Sequence, residues 1–298
     1  MFEPEVLPSN LETMEPGYLL SVFLDHIDID RCSPYDRIRV LKAQQRLASY
    51  VQAQMYRTMT AIVDVIDPED IAQDHVEEAA AAEVAAALRL TRRASDAEMS
   101  YALDMRRRLP RVWQALLAGA IDVRQAKVLV HGTEHLSMAV ARNVVDDIID
   151  DAGRLTTGQL GHRLRKLCID TDPDDAKKRY ETAVEERCVS IEADPSGTAH
   201  IHATNLPPDR ASAAMQRVNH IAEGLRRDGD KRTMDQLKSD VVLDLIEGTG
   251  AAPRSGRGTV HLHVDMATLA GLAERSGEIG GFGPVVADIA RQIAEQQQ

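Results

Sequence analysis

The stretch from Ser33 to Ile66 begins with a helix-start signature and then carries an apolar or small residue at every seventh position, which commits it to one long helix. Ser33 is placed to cap, Pro34 suits the first helical position, and Asp36 puts an acid in the first turn. Continued to Ile66, the helix is about 33 residues and roughly 50 Å long at 1.5 Å per residue. Leu41, Ala48, Met55 and Ile62 recur by sevens, Ile38, Met59 and Ile66 fall on the flanking seam, and Gln45 and Gln52 interrupt it. Two outcomes fit this spacing: the spine of an intramolecular bundle, or the interface of a homodimer.

After Asp67-Pro68 an alanine-rich helix from His75 to Leu88 leads into VAAALRLTRRASDAEMSYA, residues 84–102, which reads as two helices joined by a tight turn. Val84, Ala85, Leu88 and Leu90 are spaced like the buried side of a helix-turn-helix. Thr91 is placed to cap the second helix, and Arg92 and Arg93 open it. The turn wants a residue that tolerates positive φ, typically glycine, and Arg89 stands there instead. The second helix stops at Leu109-Pro110, where the pre-proline restriction forbids its continuation. Such a hairpin is either a DNA-reading element or a plain pair of helices in a bundle core.

Charge bears on that choice. The chain holds 35 Lys and Arg against 47 Asp and Glu, a net charge of -12, which opposes contact with a polyanion. The acidity is uneven: residues 1–83 contain 16 acids and 6 bases, a balance of -10, leaving only -2 for the rest. From Arg89 to Arg111 seven arginines meet only Asp96, Glu98 and Asp104, a local excess of +4. Arg89, Arg92, Arg93, Arg106, Arg107 and Arg108 are therefore the candidate DNA contacts. The competing reading is a solvated face laced with intrahelical ion pairs.

The helical pattern continues from Arg111 to Ala118, closed by Gly119, with Trp113 as a core residue. Asp122/Gln125, Ser137, and Thr156/Gln159 cap three more helices, with Gly153 between the last two. At Arg187 the period changes. Cys188–Glu192, a turn at Asp194-Pro195-Ser196-Gly197, and Thr198–Thr204 form a β-hairpin. Helices over Pro208–Arg227 and Thr233–Glu247 follow, the latter with a Thr233/Gln236 cap pair, and then the linker GTGAAPRSGRG. Thr259–Val264 is a third strand, expected to join the hairpin because two strands alone are only marginally stable. Asp265 caps the short helix after it, and Gly280–Pro284 reads as a loop and helix start. The expected fold is mainly α: a multi-helix bundle with a long N-terminal helix over 1–186, and a small α+β part with a three-stranded antiparallel sheet over 187–298.

Catalytic signatures are absent. Cys32, Cys168 and Cys188 are far apart, which argues against a disulfide framework and for a reducing, cytoplasmic compartment. No signal peptide or membrane span is legible. His200 and His202, like His261 and His263, lie two apart in strands, so each pair shares a face. With the strands adjacent and in register, the four imidazoles would suit a transition metal; otherwise they are tolerated polar residues on a half-exposed sheet, and no cofactor is implied.

Four segments carry a family resemblance: VAAALRLTRRASDAEMSYALDMRRRLPRVWQALLAGAIDVRQAKVLV, CVSIEADPSGTAHIHATNLPPD, TMDQLKSDVVLDLIEG, and RGTVHLHVDMATLAGL with GGFGPVVADIARQIA. In this order they resemble the domain of unknown function 222, also called the 13E12 repeat family, over most of residues 35–295. In many members that region is followed by an HNH endonuclease domain, so the resemblance implies nucleic-acid processing. Beyond Pro284 there is no His, Asn or Cys with which to hold a catalytic metal, so these residues are expected to lack nuclease activity whether they are part of a longer nuclease or a short member without one. The expectation is a DNA-binding or targeting module of an HNH-associated protein, with no membrane partner. The alternative is a helical dimerisation or protein-interaction scaffold that does not bind nucleic acid.

Overall fold

The computed structural model describes residues 7–65, 75–248, 261–280 and 283–296. The chain divides into two compact units, 1–176 and 177–298, so the division falls ten residues before the change of period at Arg187. The protein is mainly helical, with a long N-terminal helix and a small three-stranded antiparallel sheet in its C-terminal part.

The first unit runs α1 (Tyr18–Asp25), α2 (Pro34–Val65), α3 (Val76–Leu88), α4 (Arg92–Leu103), a wide π turn (Asp104–Arg108), α5 (Pro110–Leu117), α6 (Val123–Gly132), α7 (Met138–Ala152) and α8 (Thr157–Thr171). The caps form as the sequence predicts. Ser33 Oγ accepts from Asp36 N at 3.1 Å, and Asp122/Gln125 and Thr156/Gln159 make reciprocal capping boxes. Met105, Leu116, Leu129, Ile148 and Leu160 are fully buried at the centre.

Helix α2 serves two different environments. Its C-terminal half delivers Ala53, Tyr56, Met59 and Val63 to the main core, while Val40 and Ala43 near its start pack on Leu11 and Leu20 in a separate small cluster. The residues before α2 are clamped to it by Arg39, which donates to Pro8 O, and by Arg46, which donates to Glu12 O at 2.7 Å and Met14 O at 2.8 Å. The heptad seam therefore splits. Met59 and Ile62 pack in the bundle, whereas Ile38, Leu41 and Met55 remain 54%, 60% and 39% exposed. Ile66 lies outside the described residues.

Helix α9 (Pro173–Glu185) crosses the division between the units. In the second unit, β1 (Cys188–Ala193) and β2 (Ala199–Thr204) form the expected antiparallel hairpin, with Ile191 opposite Ile201. Helices α10 (Pro208–Arg227) and α11 (Met234–Glu247) pair through Val218, Ala222, Leu237 and Val241. The three-stranded sheet is built differently from expectation. Strand β3 (Leu262–His263) joins β4 (Gly277–Ile279) and β5 (Gly283–Val285) in the order β3-β4-β5, and the β1-β2 hairpin is a sheet of its own. Leu262 faces Ile279, a partner 17 positions away, so closing that loop costs less chain entropy than reaching back to β2. Helix α13 (Ala287–Gln296) then covers this sheet, with Ala290 buried at 2.8 Å from where a Cβ on Gly277 would sit. Gly283 and Pro284 accordingly belong to β5 rather than to a helix start, and Gly281 and Phe282 lie outside the described residues. Asp265 does cap the short α12 (Met266–Leu269). Thr259, Val260 and the linker from 249 to 258 lie outside the described residues.

Candidate nucleic-acid interface

Helices α3 and α4 are separated by three residues, Arg89, Leu90 and Thr91. Arg89 adopts φ 54°, ψ 41°, the left-handed conformation, and Leu90 N donates to Ala85 O at 3.0 Å. This is the backbone pattern of a Schellman stop, which glycine enters without a steric cost. Thr91 then turns the chain into α4, its hydroxyl accepting from Ala94 N at 3.3 Å. The crossing is held by small groups: Ser95 Oγ donates to Ala81 O at 2.6 Å, and Ala80, Ala81, Val84, Met99 and Ala102 are buried around it. Leu88, expected on the buried side, is 47% exposed, because the helix turns left-handed immediately after it.

A polar network fixes α4 from its far side. Tyr56 of α2 donates to Glu98 at 2.9 Å, Lys127 of α6 pairs with the same carboxylate, and the Lys127 ammonium lies 4.7 Å from the Tyr101 ring centroid. Burial, reinforced by the Glu98 charge, pushes the Tyr56 hydroxyl far above the usual tyrosine range. The hydroxyl therefore stays a donor.

The six arginines do not gather on one surface. Arg106, Arg107 and Arg108 are consecutive on a helical turn, and neighbours in sequence point in different directions there. Arg106 stacks on Trp113 with its guanidinium carbon 4.6 Å from the ring centroid, and Trp113 in turn donates to Ala53 O at 3.0 Å from a half-buried position. Arg107 pairs with Glu77 at 2.8 Å and Asp64 at 3.5 Å. Arg108 pairs with Asp104 at 3.2 Å and donates to Val130 O and Thr133 O at 3.2 and 3.1 Å, so it satisfies the open carbonyls at the end of α6. Arg92 is bonded to Glu78 and lies 3.9 Å from Asp96.

Arg89 and Arg93 differ from these four. Both are exposed, and neither side chain makes a hydrogen bond or ion pair with a described residue. Glu78 and Asp96 line the shallow cleft along α3 and α4 together with Arg92, so acidic groups face that cleft.

The histidines separate into two groups. His200 and His202 share one face of the β1-β2 ribbon, with rings 5.9 Å apart, His200 pairing with Asp194 at 3.2 Å and His202 with Glu192 at 3.4 Å. His263 faces Glu278 in the other sheet, and His261 precedes that strand. The four imidazoles thus do not converge, because the strands that carry them are not neighbours. Among the described residues no group of three or more His, Cys, Asp or Glu is arranged to hold a metal ion. Among the same residues no helix is long and apolar enough to cross a membrane.

Neither a curated protein nor a solved structure gives a significant match to the chain. A family model does: that of the domain of unknown function, DUF222, matches residues 38–297, from the first turns of α2 to the end of α13. Because that match spans most of the chain, the protein belongs to the DUF222 family.

Proposed function

We propose that this chain is a DNA-binding or targeting module that contacts phosphates at the α3-α4 turn through Arg89 and Arg93. The observation that carries the reading is the conformation of Arg89. A non-glycine residue in the left-handed region costs about 1 kcal/mol or more that glycine would not, and here that position holds an exposed guanidinium without an acidic partner among the described residues. Arg93 lies on the first turn of α4, where the open N–H groups add positive potential on the same side. Arg92 and Arg107 are already neutralised by carboxylates, and Arg106 and Arg108 serve the bundle, so the phosphate contact is assigned to two residues rather than six.

The net charge of -12 fits a module that touches DNA through a small positive end while the rest of the surface repels it. Base-specific readout is not part of the proposal. The resemblance to a family whose members often carry an HNH endonuclease domain supports a targeting role beside such a nuclease.

The test is fluorescence anisotropy with a labelled duplex at low salt, comparing the wild type with Arg89→Gln/Arg93→Gln. The reading predicts measurable wild-type binding and at least a tenfold loss in the variant. Equal binding by both proteins, or none by the wild type, overturns it.

A further inference from the structure

The exposed half of the α2 seam is an unpartnered surface with a regular pattern. Ile38, Leu41, Gln45, Ala48, Gln52 and Met55 follow spacings of three and four residues, and span roughly 26 Å at 1.5 Å per residue. Ile38, Leu41, Gln45, Ala48 and Met55 are exposed, and Gln52 is half-exposed. The opposite face of the same segment is already used, by Val40, Ala43 and Leu47 against the residues that precede the helix. Beside the seam runs a groove between α1 and α2, to which Val22 and Val51 contribute apolar walls. Both are substantially exposed, at 39% and 49%.

We infer that this seam is the contact between two copies of the chain, joined as an antiparallel helix pair over residues 38–55. The inference does not depend on the nucleic-acid reading. Three observations select a second copy as the occupant. Alternation of three and four residues is what another helix presents in return, since each knob must enter a hole formed by four residues of a partner. None of the six seam positions is ionisable, so the face can meet itself without opposing like charges, and one patch serves both subunits as a two-fold interface requires. The flanking charges then set the direction. In a parallel pair, Arg37 of one copy would face Lys42 of the other, twice per dimer, a repulsion that Glu12, paired with Lys42 at 2.9 Å, offsets only in part because both partners are solvent-exposed. The antiparallel pair places Ile38 against Met55 of the second copy and Gln45 against Ala48 of the second copy, and brings Arg37 over Thr58 instead.

Two measurements test this. Sedimentation equilibrium at about 100 μM should give twice the chain mass of 32.8 kDa for the wild type and the single-chain mass for Leu41→Glu. Leu41 is 60% exposed, so the substitution leaves the fold intact, which far-ultraviolet circular dichroism checks. A monomeric wild type, or a folded Leu41→Glu protein that still dimerises, overturns the proposal. For direction, Gln45→Cys and Ala48→Cys are made separately in a Cys188→Ser background, which removes the exposed native thiol and leaves Cys32 and Cys168 buried. Mild oxidation should cross-link a mixture of the two variants much faster than either alone. Faster cross-linking of each variant with itself contradicts the antiparallel pair.

Discussion

At the scale of single residues, the decisive one is Arg89, because its backbone and its side chain make opposite demands. The backbone favours glycine; the proposed function requires the guanidinium. Arg89→Gly should therefore raise stability by about 1 kcal/mol in urea denaturation while weakening duplex binding. A destabilised variant would mean that the left-handed turn is not the solution conformation. Asp194 offers a second residue-level check. Hydrogen bonds from the Ser196 side chain and backbone, and then from His200, lower its carboxyl from 3.8 to about 2. A depressed carboxyl contributes its stabilisation above pH 3.8 and loses it as the pH falls towards 2, so the β1-β2 turn should loosen only in that window. The Asp194 carboxyl carbon should titrate by NMR near 2. A midpoint close to the ordinary value would show that those bonds are not made.

At the scale of elements, what was legible in the sequence was the chemistry that acts within four residues. Ser33/Asp36, Asp122/Gln125, Thr156/Gln159 and Thr233/Gln236 all cap where they stand, and Pro208 and Arg227 bound α10 as read. Helix α1 carries no such signature, because no side chain caps its start at Gly17. Strands β4 and β5 are three residues each and carry glycines, so they look like a loop until α13 is placed over them. The partners of the arginines were hidden for a related reason: Asp96 and Asp104 sit four residues from Arg92 and Arg108, but Glu78 is 14 residues from Arg92 and Glu77 is 30 from Arg107. Only folding brings them together. Gly153 gives the sharpest test of how elements meet. A Cβ there would lie 2.0 Å from Ala120 O, a backbone atom, at the end of α7. Gly153→Ala should cost about 2 kcal/mol of unfolding free energy, and a change within 0.5 kcal/mol would show that the α5-α6 connection does not press on this glycine.

At the scale of the whole molecule, one chain combines a strongly acidic N-terminal third, a long helix with an open apolar seam, and a small positive turn. If the seam pairs two copies, each dimer presents two Arg89-Arg93 turns, and binding to a long duplex gains from both. The central claim nevertheless rests on a single turn and on phosphate contact alone. The most direct measurement is the salt dependence of duplex binding for the wild type and for Arg89→Gln/Arg93→Gln, on a duplex short enough to engage one turn. Each phosphate contact contributes about 0.9 to the slope of log K against log salt. The account predicts a slope about two units shallower in the variant; equal slopes for the two proteins would contradict it.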